Sequence, residues 1–230
     1  EDFKRYWSFG AELRLEGRTG KKPQLETLSD MRGDAVLYLW NNVDVEDALG
    51  YHDLNHRGIP FGVVFTQLAK DLDESWTSTL SHEALELIGD PEANLLVRGP
   101  HPDDRRANVF HWFEMCDAVQ SEHYEIDGIQ VSNFVLPLYF TASDEIGGRN
   151  DFLGRSYDGE TLKSFGVNPG GYVGFFNPAT ARSESFFHEG DAKAARRLRI
   201  KARAEGARRA FKHKSVKVDR KPPKVLGRGV

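Results

Sequence analysis

Residues 76–88 contain no Gly or Pro, and their apolar positions Trp76, Leu80, Ala84, Leu85, Leu87 and Ile88 predict a helix. Thr77 or Ser78 is expected to cap its start. Gly89-Asp90-Pro91 ends it, because proline disfavours helical geometry in the residue before it. Two short apolar runs predict buried strands: residues 34–40, closed by Asn41-Asn42, and residues 61–65. Between them, residues 43–49 read as one or two helical turns. Residues 50–60, with Gly50, Asn55, Gly58 and Pro60, read as loop. Residues 97–107 are rich in Pro and Asp and also read as loop. Residues 109–119 and 124–131 alternate as strands do, with Asp127-Gly128 as a hairpin-like turn. Residues 132–140 are apolar and aromatic. The stretch 143–183 holds 8 Gly and 2 Pro, which predicts a loop-rich region around an Asn168-Pro169-Gly170-Gly171 turn and a strand at 171–176. Residues 1–33 are polar, broken by Gly17, Gly20 and Pro23, and predict an irregular lead-in or short strand. There is no internal repeat. The pattern predicts one α+β domain over residues 1–190, loop-rich in its C-terminal half.

Composition narrows this further. With 230 residues and 39% hydrophobic positions, the chain can bury a full core and is neither disordered throughout nor collagen-like. The apolar run at 134–140 is interrupted by Pro137, far short of the roughly 20 residues a membrane-crossing helix needs. One cysteine, Cys116, excludes an internal disulfide framework. The first residue is Glu1, which predicts a processed or fragmentary N-terminus, and no secretory segment is visible. A soluble location is expected, cytoplasmic or virion-associated rather than secreted.

The net charge of −4 conceals two opposite parts. Residues 191–230 carry 15 Lys+Arg against 3 Asp+Glu, leaving residues 1–190 with 16 basic and 32 acidic side chains. The basic part predicts a helix opened by Asp191 and then an extended tail rich in Lys, Arg, Val and Pro. Two readings of it stand open. One is contact with nucleic acid or another polyanion through phosphate neutralisation. The other is that it lies against the acidic body of its own or a neighbouring chain, or is simply solvated. Its one aromatic, Phe211, provides no stacking platform for single strands.

The candidate chemistry lies in Ser81-His82-Glu83-Ala84-Leu85-Glu86. Positions i and i+4 share a helix face, so His82 and Glu86 point the same way one turn apart. Imidazole nitrogen and carboxylate oxygen are both zinc ligands. Glu83 is one step round from His82 and can reach a water beside an ion held there, as a general base must. A helix apolar on most sides is a buried one, and a buried His and Glu need partners, of which a metal is one.

These residues resemble the zincin metallopeptidases, whose His-Glu-x-x-His motif appears here with Glu86 in the second His position. The longer pattern of Ser81-His82-Glu83-x-x-Glu86, then Asp90-Pro91, then Glu114-x-x-Asp117, then Ser132-Asn-Phe, looks like a set of bacterial and phage zincin-like proteins of unassigned function. The resemblance covers roughly residues 34–175. It implies a zincin-like α+β fold, a small mixed sheet packed on an active-site helix, with the strand at 61–65 at the sheet edge holding an extended substrate. It further implies Zn2+ held by His82 and Glu86, with Glu83 as catalytic base. Asp117 is expected as third ligand, since the resemblance pairs its segment with the helix. Glu114 can take that role or support it, and Glu92 is a rival, placed after Gly89 as in the metzincin outline.

Other candidates carry less. His52 and His56 are four apart among loop residues, where helical spacing does not apply. His101, His111, His123 and His188 each lack a neighbour at ligand spacing. Tyr172 reads either as an oxyanion donor or as a packed aromatic at a strand start. Cys116 reads as a small buried hydrophobe. No Ser-His-Asp order, P-loop or G-x-G-x-x-G stands out. The expected function is a zinc-dependent, metallopeptidase-like hydrolase acting on a peptide or protein substrate. The alternative is a non-enzymatic structural or binding protein, such as a virion or assembly component, that keeps the fold and binds a polyanion or acidic protein through its tail.

Overall fold

The computed structural model describes residues 1–15, 35–41, 49–54, 58–141 and 147–188. The turns expected at 43–49, His56 and the basic tail at 191–230 lie outside the described residues, wholly or nearly so. The described elements, in chain order, are α1 (Asp2–Trp7), β1 (Val36–Trp40), β2 (Gly50–Leu54), β3 (Pro60–Phe65), α2 (Thr66–Asp71), α3 (Trp76–Gly89), β4 (Leu96–Pro100) and β5 (Asn108–Trp112). They continue with β6 (His123–Ile126), β7 (Ile129–Ser132), β8 (Ser156–Tyr157), β9 (Glu160–Thr161), β10 (Tyr172–Asn177) and β11 (Arg182–Phe187). Short 3-10 turns occupy Asp117–Val119 and Pro137–Phe140. Among the described residues the architecture is α+β, with few helices and several small sheets.

One sheet is mixed and three-stranded, in the order β1-β3-β2. β3 runs parallel to β1 and antiparallel to β2. Five of its six residues are buried, which explains a continuous apolar run rather than an alternating one. Phe61, Val63 and Phe65 pack with Tyr51 and with Val36, Tyr38, Trp40 and Leu68. α3 lies against this sheet, touching β3 and β2, and against β7 on another side. The second sheet is antiparallel, in the order β11-β10-β5-β4.

The larger core gathers Phe3, Met115, Cys116, Val119, Phe134, Val135, Leu136, Tyr139, Leu162 and Val173. α1 joins it through Phe3 and Trp7, four apart on one helix face and stacked at 5.9 Å. The Trp7 indole N–H donates to Val135 O at 2.9 Å. A polar keystone holds the loops around this core. The Asn133 amide donates to Glu122 at 2.9 Å and to Asp151 at 2.8 Å, and Asn168 donates to the other Glu122 oxygen at 2.6 Å. Burial pushes the Glu122 carboxyl above its ordinary range, with the nearby Asp151 charge adding to the effect and the amide donors opposing it.

Several local expectations are corrected. Residues 2–7 form a helix rather than an irregular lead-in, because Phe3 and Trp7 pack against Phe134 and Phe113; residues 16–33 lie outside the described residues. Residues 50–54, expected as loop, form a strand, since β3 offers them a pairing edge. Residues 96–100 are likewise a strand, paired to β5. The segment expected to be strand through 119 leaves β5 at Trp112 and closes with the turn Asp117–Val119. The N-cap of α3 is Ser75, whereas Thr77 lies inside the helix and donates to Gln130 O at 2.7 Å, docking the β6–β7 hairpin. That hairpin turns at Asp127-Gly128, both with positive φ, as the dipeptide predicts. Among the described residues, no helix is long and apolar enough to cross a membrane.

Candidate metal centre

α3 projects His82, Glu83 and Glu86 inward, and all three are buried, Glu86 with only 1% of its surface exposed. The helical i, i+4 spacing brings His82 Nε2 to 3.0 Å from Glu86 Oε1. Asp117 arrives from the 3-10 turn, where its Oδ1 stands 3.2 Å from the same imidazole nitrogen. The turn is held from behind. Ala118 O accepts from Asn168 N at 3.0 Å, and β10 starts so close that a Cβ on Gly171 would sit 2.2 Å from Ala118 O and 3.0 Å from Asp117 O. Only glycine fits there.

His82 and Glu83 also line a cleft, shared with Gly50, Ser78, Thr79 and His123. Gly50, the first residue of β2, crosses directly over Glu83: a Cβ would meet its Cγ at 2.8 Å and its Oε1 at 2.9 Å. The cleft therefore opens between the start of β2 and the first turns of α3. His123 enters from β6. Its pKa is lowered by burial first, then by the Arg155 and His82 charges.

Two side chains, His52 and Cys116, gain a place here that their sequence setting does not reveal, and Glu114, expected as a third ligand or its support, joins His52. His52, on β2, is buried, with Nδ1 3.5 Å from Glu83 Oε2 and 3.9 Å from Glu86 Oε2. Burial works to lower its pKa, but contact with Glu83 and the charges of Glu114 and Glu86 outweigh it, and the imidazole holds its proton above the ordinary 6.5. Cys116 donates its backbone N–H to Glu86 Oε1 at 3.3 Å, and with His82 and Glu86 it forms a set whose donor atoms all lie within 4.8 Å of one another. Glu114 forms a second such set with His52 and Glu86. No local pattern marked His52: strand pairing with β3 puts it on the same face as Gly50. For Cys116 the signal was adjacency to Asp117.

The remaining candidates fall elsewhere. Glu92 is exposed and accepts from Asn94 at 2.9 Å, so the residue after the helix turn faces solvent rather than His82. The strand at 61–65, expected at the sheet edge, is the central one, paired on both sides. The edge that flanks the cleft is β2. His111 is buried in the second sheet, its Nε2–H donating to Pro100 O at 2.8 Å. His101 accepts from the backbone of Asp103 and Asp104, and His188 is exposed after β11. Tyr172 is fully buried at the start of β10.

The donor chemistry fits a small divalent cation. Four ligands about 2.1 Å from a tetrahedral zinc lie about 3.4 Å from each other. The pairs at 3.0 and 3.2 Å around His82 Nε2 are of that order, and the set around this imidazole whose donor atoms all lie within 4.8 Å of one another consists of His82, Glu86 and Cys116. Comparison with protein-family models, with curated proteins and with solved structures finds no match.

Proposed function

We propose that this chain is a zinc-dependent hydrolase of metallopeptidase type with a zincin-like arrangement. His82 and Glu86 hold the ion together with Asp117, and Glu83 is the general base. The observation that supports the reading is that Glu86 and Asp117, from two separate elements, both approach His82 Nε2, while His82 and Glu83 line one cleft. Cys116 is the competing third donor, its donor atom within 4.8 Å of those of His82 and Glu86, and thiolate is a good zinc ligand.

A zinc ion bound there supplies Lewis acidity, which acidifies water to a pKa of about 7 and polarises a carbonyl. The protein's own groups do the rest. Glu83 accepts the proton of a water in the cleft and returns it to the leaving amine. His52, on β2, stands behind that carboxylate, its Nδ1 3.5 Å from Glu83 Oε2. β2 ends the three-stranded sheet among the described residues, so its outer edge suits an extended peptide paired by main-chain hydrogen bonds.

Metal analysis of full-length protein purified without chelator is expected to find bound zinc, lost in His82→Ala. Glu83→Gln is expected to retain the metal while hydrolysis of a peptide library falls at least about 100-fold, the usual scale for a lost general base. Full metal occupancy with no hydrolysis by the parent protein would instead favour a binding or assembly role. Absence of metal would reject the site altogether.

A further inference from the structure

Glu86 is shared by two donor sets that have no other member in common. One consists of His82, Glu86 and Cys116, with Asp117 on the same imidazole. The other consists of His52, Glu86 and Glu114. The two oxygens of the carboxylate divide between them. Oε1 is 3.0 Å from His82 Nε2, and Oε2 is 3.9 Å from His52 Nδ1. We infer that Glu86 is a bridging carboxylate between two divalent cations, the second held by His52 and Glu114. This rests on the reading of the first site as a metal site.

Three observations support it. First, the second set mixes imidazole nitrogen with carboxylate oxygen, the donor chemistry of zinc and of manganese. Second, its members come from three places: β2, α3 and the segment before the Asp117–Val119 turn. Helical spacing alone does not bring them within 4.8 Å of each other; the tertiary fold has to. Third, a bridging carboxylate spaces two ions about 3.5–4 Å apart, the separation found in two-metal hydrolases. Two donor sets hinged on one carboxylate are compatible with that spacing. His52 and Glu86 are both nearly inaccessible, so the second ion would lie behind the cleft wall. There its role is to orient Glu86 and Glu83 rather than to contact substrate.

The experiment is metal stoichiometry on the full chain, stripped with chelator and reloaded with Zn2+, read by native mass spectrometry. Parallel samples are loaded with Mn2+ and read by electron paramagnetic resonance. The wild type is expected to take two ions. His52→Gln and Glu114→Gln are each expected to take one, while Glu86→Gln loses both. With two Mn2+ bound, the spectrum is expected to show exchange coupling. One ion in the wild type, unchanged by His52→Gln but lost in His82→Gln, overturns the second site and leaves the first intact. No ion overturns both. Two ions that survive His52→Gln and Glu114→Gln place the second one elsewhere and reject the bridge. If the His52 and Glu114 variants fail to fold, the wild-type manganese spectrum decides: two uncoupled Mn2+ ions overturn the proposal.

Discussion

Gly171→Ala adds one methyl group at the point where β10 meets the 3-10 turn that carries Asp117. The glycine is not at positive φ, so alanine brings no backbone strain, and the effect is steric alone. The new Cβ would stand 2.2 Å from Ala118 O and 2.6 Å from Ala118 C, both backbone atoms that cannot rotate away. Real Cβ contacts essentially never fall below 3.0 Å, so β10 and the turn must separate by about 0.8 Å. Overpacking of this kind costs about 1–3 kcal/mol. The strain falls on Ala118, one residue from Asp117, so it also draws Oδ1 away from its 3.2 Å approach to His82 Nε2. The variant is therefore expected to lose both stability and zinc affinity, the latter by about tenfold, equivalent to about 1.4 kcal/mol. Urea unfolding of the metal-free protein measures the first. Competition with a chromophoric chelator measures the second. If Gly171→Ala matches the parent in both, β10 does not brace Asp117, and the account of how the turn is held is wrong.

Two further predictions concern the second sheet and the tail. Burial lowers the pKa of His111 to about 4, against an ordinary 6.5, although the Pro100 carbonyl favours the protonated ring. The unfolded chain therefore binds more protons between these values, and stability falls as the pH drops from about 6.5 to about 4, by up to about 3 kcal/mol. His111→Gln, which keeps a donor for Pro100 O, should flatten that acid slope in denaturant midpoints taken from pH 7 to 4.5; an identical slope in both proteins would refute the assignment. Deleting residues 191–230 removes 15 basic against 3 acidic residues. It should weaken binding to DNA or RNA, most at low salt, while leaving metal content unchanged. Equal affinity of both forms at every salt concentration would remove the tail from polyanion binding.

The features legible in the sequence are those set by near neighbours along the chain. The helix from Trp76 to its stop at Gly89 could be read because periodicity and breakers act within a few residues, and the same local geometry paired His82 with Glu86. β3 could be read because a strand covered on both faces is apolar throughout. The β6–β7 turn could be read because Asp127-Gly128 tolerates positive φ. β2 could not, since Gly50-Tyr-His-Asp-Leu54 has weak strand character of its own and becomes a strand by pairing with β3. For the same reason His52 looked like a loop residue, although the strand carries it to Glu83 and Glu86. The order of the strands, which among the described residues puts β3 in the centre and β2 at an edge, likewise depends on contacts distant in sequence. So does the approach of Asp117, Cys116 and Glu114 to α3. Backbone preferences and side-chain periodicity are encoded residue by residue. The convergence of side chains from β2, α3 and the 114–117 segment arises only when hydrophobic burial packs those elements together, and no local pattern records it.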